Sequence, residues 1–166
     1  MAETPEAYVA RLTALVTSDP LEILATTPDR IDLLIDGRGA ELGRKPAPGK
    51  WSVAEILAHL ADAELVGGYR FRMILATPGV PLQAFDQNRW AEAFAYAAAD
   101  PEDSFHTFAA LRASNLHLWR TVGAQHPDAY GMHAERGRET VAGLLRLYAG
   151  HDLNHLQQIE RILFSA

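Results

Sequence analysis

The sequence predicts an all-α protein, an antiparallel four-helix bundle with short extra N-terminal helices. Three observations point there. Apolar residues recur at helical spacing over long stretches, and Ser, Thr, Asp and Pro mark helix starts. Alternating β-branched runs are missing, while alanine and leucine are abundant. Several long helices joined by short connections then imply a bundle.

Residues 4–16 read as a short amphipathic helix ending before Asp19-Pro20. Two shorter helical pieces are expected at 21–25 and 28–36, parted near Pro28, because proline lacks an N–H and suits a first turn better than an interior. The glycine- and proline-rich stretch from Gly37 to Lys50 reads as loop. Ser52-Val53-Ala54-Glu55 is a capping box: the Ser52 hydroxyl can accept from a first-turn N–H, and Glu55 can reach back to the cap N–H. Trp51 and Ile56 stand at the staple positions around it, and the helix should run over 53–76 and stop before Pro78. Residues 77–88 read as loop and 89–98 as a shorter helix. Asp100-Pro101 starts another long helix, with an apolar stripe of Phe105, Phe108, Leu111, Leu118 and Val122, ending near Gly123. An irregular connection over 124–139 carries His126 and His133, and Thr140 can cap a last helix reaching about residue 164. No repeat, low-complexity tract or linker divides residues 1–166, so one domain is expected, and the length allows a full hydrophobic core.

Composition removes several function classes. The formal net charge is −6 and the pI about 5.6, so no broad basic surface exists for a phosphate backbone and nucleic acid is not an expected partner. With no cysteine, disulfides, thiolate metal sites, iron–sulfur clusters and a cysteine nucleophile are excluded. The start, Met1 to Glu6, is acidic where a signal peptide would be basic, and no apolar run approaches the roughly 18–20 residues that cross a bilayer. A cytoplasmic protein without a membrane partner is expected.

Chemistry concentrates on histidine. In His151-Asp152-Leu153-Asn154-His155 the two histidines are four apart, which puts them about 40° apart on a helix, one turn above the other, so both rings can reach one ion. His155 falls inside the arc of Val141, Leu144, Leu145, Tyr148, Ile159, Ile162 and Leu163, and His151 at its edge, so both should face the interior. With seven histidines such spacing arises readily by chance, and a hydrogen-bonded core pair is the alternative. The zinc-protease HExxH pattern is absent, since Asp152 follows His151. A third ligand must come from another helix, and His59 is the best candidate; its projection beside the apolar stripe suits a sideways reach or a half-exposed ring equally.

The segment Lys50-Trp51-Ser52-Val53-Ala54-Glu55-Ile56-Leu57-Ala58-His59-Leu60-Ala61-Asp62 resembles the second-helix signature of the DinB-like superfamily of metalloenzymes, and His151 to Ile159 resembles its final-helix signature, in the same order and at similar separation. The resemblance covers roughly residues 45–165. It implies a four-helix bundle, often a homodimer, with a divalent ion held at the positions of His59, His151 and His155. Zinc or nickel comes first, then iron or manganese. It further implies a hydrolase or a low-molecular-weight thiol transferase acting on a small molecule, with a non-catalytic dimeric metal-binding module as the alternative. The first 40 or so residues, broken at Pro20 and Pro28, depart from a single long first helix. Three neutral imidazoles would leave positions open for water or substrate, which permits hydrolysis and thiol transfer alike.

Supporting candidates are Asp152, which could orient a ligand histidine or partner an arginine, and Glu64, which could be a general base or a satisfied polar residue at the helix boundary. His133 could flank the pocket mouth or be an exposed loop residue, and Arg70 and Arg72 could receive an anionic group or be ordinary surface arginines. Tyr69, Trp90 and Trp119 could line a pocket, though aromatics at helical spacing are more often core.

Overall fold

Residues 3–164 are described by the structure, a computed structural model. Among these described residues seven α-helices form: α1 Pro5–Ala14, α2 Pro20–Ile35, α3 Gly39–Leu42, α4 Val53–Ala76, α5 Gln87–Ala93, α6 Pro101–Thr121 and α7 Val141–Phe164. Helices α2, α4, α6 and α7 make the four-helix bundle, in which α4 and α2 each pack against both α6 and α7. The short α1 lies along α7.

Local chemistry explains the start of α4. Ser52 Oγ accepts from Glu55 N at 3.3 Å, and Glu55 Oε2 accepts from Ser52 N at 2.8 Å, so both bonds of the capping box form. Lys45 Nζ adds a charged contact to Glu55 Oε1 at 2.9 Å. Asp19 and Asp100 accept first-turn N–H groups ahead of Pro20 and Pro101, and Thr140 Oγ1 accepts from Gly143 N at 3.0 Å at the start of α7.

The expectation of two helical pieces parted near Pro28 is corrected: α2 is one helix with Pro28 inside it. An interior proline strips the carbonyl four residues earlier of its helical donor, here Leu24. The buried Arg112 of α6 donates from Nη1 to Leu24 O at 2.8 Å, so the orphaned carbonyl is satisfied from outside the helix. The stretch 37–50 also carries the single turn α3.

A second correction concerns strands. Pro81–Leu82 (β1), Tyr130–His133 (β2) and Gly137–Thr140 (β3) form a small sheet, with β1 parallel to β2 and β2 antiparallel to β3. Pro81 pairs with Met132, and Met132 with Arg138. Strands of two to four residues are too short to show an alternation. What makes the hairpin is Gly137, whose φ of +72° favours glycine, and the bond from Arg136 Nε to Glu139 Oε1 at 2.6 Å. The expected stripe on α6 is corrected as well. Leu118 is half-buried and Val122 exposed, while Phe105, Phe108, Leu116 and Trp119 face inward. Between them the same face buries Arg112 and Asn115.

The core is therefore in two parts with a polar layer between. One apolar cluster includes Leu24, Phe71, Leu116, Trp119 and Leu144, and the other includes Ile31, Leu57, Phe108, Leu156 and Ile159. Each long helix buries polar residues where the clusters meet: Thr27 on α2, His59 and Glu64 on α4, Arg112 and Asn115 on α6, and His151, Asp152 and His155 on α7. Two glycines make room for this layer. A Cβ on Gly67 would strike the Tyr148 ring and one on Gly68 would strike the Asn115 amide. That close approach offsets the helix-weakening cost of glycine in the middle of α4.

Candidate metal centre

Three histidine rings meet in the polar layer. His59 Nε2 lies 2.9 Å from His151 Nε2, and His151 Nε2 lies 3.2 Å from His155 Nε2. All three donor atoms fall within 4.8 Å of one another. The rings are almost wholly buried, with His59 1 % exposed, His155 7 % and His151 9 %. Trp51, just before α4, packs its ring 5.0 Å from that of His59 and closes one side.

Protonation follows from burial. Burial holds His59 well below the ordinary histidine value, and the neighbouring His155 adds to the effect. Burial does the same to His151, helped by His155, His59 and Arg112. His155 is pushed down to about 4, chiefly by burial, with its bond to Gln158 working the other way. All three are neutral imidazoles at neutral pH, each with one ring N–H and one lone pair.

These rings fit a divalent ion. His155 Nδ1 donates to Gln158 Oε1 at 3.1 Å, so its Nε2 presents a lone pair to the other two rings. Linear hydrogen bonds among three such nitrogens can satisfy one of the two close contacts and not both, because each neutral ring has one hydrogen to give. An ion with tetrahedral bonds of about 2.0–2.1 Å holds its donors roughly 3.3 Å apart, close to the spacings seen. His59 Nδ1 is buried with no hydrogen-bond partner among the described residues.

Asp152 and Glu64 occupy the same layer but turn to α6. Asp152 accepts from Arg112 Nη1 at 2.6 Å and from Nη2 at 3.2 Å. Glu64 accepts from Arg112 Nη2 at 2.8 Å and from Asn115 Nδ2 at 2.7 Å. Each of the charged partners is 1 % exposed. Burial opposes the guanidinium charge, but Asp152 and Glu64 outweigh it and raise Arg112 above its usual value. Among the described residues neither carboxylate bonds to the three histidines; of the two roles read for Asp152, the partner of an arginine is the one seen. Arg112 and Asn115 were not singled out from the sequence. The charge is in register with Phe108, Leu116 and Trp119, and the last two lie outside the stripe that periodicity predicts.

Two cavities open on the histidines and share Tyr8, Gln87 and His151. The first, of about 270 Å³, runs from His59 and His151 past Tyr148 to Arg70 and Arg136. The second, of about 280 Å³, reaches His155 and is lined by Arg11, Lys50 and Asn154.

His133 is not an exposed loop residue: it ends β2 at 3 % exposure. Its Nδ1 faces the Glu135 and Arg136 amides, and Arg70 Nη2 stands 3.3 Å from its Nε2. Burial, with Arg136 nearby, takes it down to about 4. Arg70 reaches the first cavity, whereas Arg72 is spent on Gly68 O and Asn115 Oδ1. Trp119 is core, Tyr69 is exposed, and Trp90 packs tilted against Phe85 and edge-on to Phe94.

Comparison with known proteins gives consistent relatives. The family model described as the DinB superfamily matches residues 23–159. Relatives that carry the name "Putative metal-dependent hydrolase" include two bacterial proteins. YfiT of Bacillus subtilis is 24% identical over 148 residues, covering 85% of this chain and 78% of its own length. OB0782 of Oceanobacillus iheyensis is 25% identical over 126 residues, covering 76% of this chain and 73% of its own length. A solved structure of Bacillus subtilis YfiT, described as having an unusual four-helix bundle topology, superposes with a TM-score of 0.76 at 24% identity. It covers 86% of this chain and 84% of that one.

Proposed function

This chain belongs to the DinB superfamily, and on that footing we propose that it is a metal-dependent hydrolase of a small molecule, with one divalent ion held by His59, His151 and His155. The convergence of three buried, neutral Nε2 atoms on one point carries the reading. The names of the relatives support hydrolysis as the reaction class. An ion bound by three imidazoles keeps its full charge and open positions, and supplies Lewis acidity to a water or other small reactant.

The chain's own residues do the rest. Gln158 holds the His155 ring by its Nδ1–H, which keeps the Nε2 lone pair turned inward. Arg112 binds α4 to α7 through Glu64 and Asp152, the helices that bear His59 and His151, and so fixes the spacing of the two rings. Asp152 and Glu64 act as positioning residues through Arg112. Trp51 and the apolar clusters above and below shield the rings on the sides that the two cavities leave closed.

Thiol transfer is the second reading. The observation that favours it is the pair of cavities meeting at His151, which gives room for two reactants on either side of one centre.

Elemental analysis of the purified, untagged protein tests the proposal, for wild type and for His59→Ala. About one ion per chain in the wild type and its loss in the variant, with the helical CD signal kept, is the expected result. No bound metal after dialysis against zinc and nickel would refute it.

A further inference from the structure

The first cavity holds a charge that the metal reading does not use. Arg70 is 5 % exposed, yet no carboxylate pairs with it among the described residues. Its Nη2 donates to Gln83 O and faces His133 Nε2, and the guanidinium also acts on the Tyr148 hydroxyl beside it. A buried cation without a counter-charge is costly, and natural proteins seldom keep one without a use. The carboxylates near the cavity are committed or peripheral. Glu3 binds Arg11 at 2.9 Å and Glu139 binds Arg136 at 2.6 Å, while Glu135 is exposed at the rim. Arg136 is thereby neutralised and Arg70 is not.

Tyr148 lies between Arg70 and the histidines. Its ring rests over Gly67, with the ring centroid 6.4 Å from that of His151. Burial pushes its phenol up to about 12, so it stays a hydrogen donor at neutral pH. Arg70 and Tyr148 thus offer a full positive charge and an O–H in the cavity that His59 and His151 also line.

We propose that this cavity is an oxyanion subsite, in which Arg70 and the Tyr148 hydroxyl hold a carboxylate or phosphoryl group of the small-molecule substrate beside His59 and His151. The role of the anion as part of a substrate rests on the metal-dependent reading; the binding site itself does not. A guanidinium and a phenol hydroxyl are both donors, so the subsite selects an acceptor-only group. It would reject the neutral amide of the same shape, which brings N–H groups against donors.

Isothermal titration of the protein with sodium acetate and with inorganic phosphate, in low-salt buffer without chloride, tests this, before and after chelation. Binding of one or both probes is expected, weakened at least tenfold by Arg70→Gln and several-fold by Tyr148→Phe. It should survive chelation, and whichever probe binds identifies the group. Failure of both probes to bind wild-type protein would overturn the proposal. So would an unchanged affinity in a well-folded Arg70→Gln variant, and if that variant does not fold, an unchanged affinity in Tyr148→Phe decides against it. Binding that chelation abolishes and Arg70→Gln leaves intact would place the anion on the metal, which overturns the subsite and supports the metal reading. Arg70-dependent binding in a protein that takes up no metal would do the reverse.

Discussion

Replacing Arg112 with methionine should be among the most damaging single changes in the protein. Arg112 donates to Asp152, to Glu64 and to Leu24 O, and all three partners lie in the bundle interior. Removing a charged partner from a buried pair costs about 3–5 kcal/mol, because the charge left behind is uncompensated. The Leu24 carbonyl, already without a helical donor because of Pro28, adds about 1–3 kcal/mol once it is left unsatisfied. The sum is about 4–8 kcal/mol, comparable to the whole stability of many domains. Urea unfolding followed by far-UV CD measures it. Adding Glu64→Gln and Asp152→Asn to Arg112→Met removes the stranded charges and should recover about half of the loss. The Leu24 share is separable by a double-mutant cycle with Pro28→Ala, which restores a helical N–H to that carbonyl. Pro28→Ala should be more favourable in the Arg112→Met background than in wild type by about 1 kcal/mol or more. A loss below about 1 kcal/mol for Arg112→Met would refute the account of Arg112 as the hub of the layer.

Three further outcomes follow from the same geometry. Gln158→Leu frees the His155 ring to rotate or change tautomer and should weaken zinc affinity about 10–100-fold in a competition titration, with CD unchanged; equal affinity would show that the ring is held some other way. Gly150→Ala drives a Cβ into the Leu12 carbonyl, so α1 must shift from α7, with a cost of about 1–3 kcal/mol in thermal melts and faster proteolysis near residue 12; an unaltered melt would count against that contact. The metal-free protein should lose stability as pH falls from about 6.5 towards 4, because His59, His133, His151 and His155 are held neutral in the fold and take up protons on unfolding. Each contributes at most about 1.4 kcal/mol per pH unit, and a flat stability profile across that window would contradict the burial of these rings.

What the sequence made legible was local, and what it hid was the partner of each buried charge. Helix α4 could be bounded because its start is written in four neighbouring residues, Ser52 to Glu55, and both capping bonds form. The facing of His151 and His155 could be read because four residues on α7 are one helical turn. His59 could not be placed by periodicity, since whether a ring beside an apolar stripe meets solvent or another helix depends on what packs there; the DinB-like resemblance supplied that link. The same limit explains α2. Pro28 argues for a break when only its own helix is considered, yet the donor that lets the helix continue comes from Arg112, 88 residues along the chain from Leu24. Arg112 stands at an inward position between Phe108 and Leu116, but Leu116 lies outside the stripe that periodicity predicts, so nothing in that stripe marks the charge. Its partners Glu64 and Asp152 lie 48 and 40 residues away, and from the sequence Glu64 reads as a general base or a boundary residue and Asp152 as the orienter of a histidine or the partner of an arginine. A charged residue on a core face is therefore better treated as a request for distant partners than as noise in the stripe. Here the request is answered from α2, α4 and α7 together, three of the four bundle helices, and the two that answer with carboxylates carry the histidines.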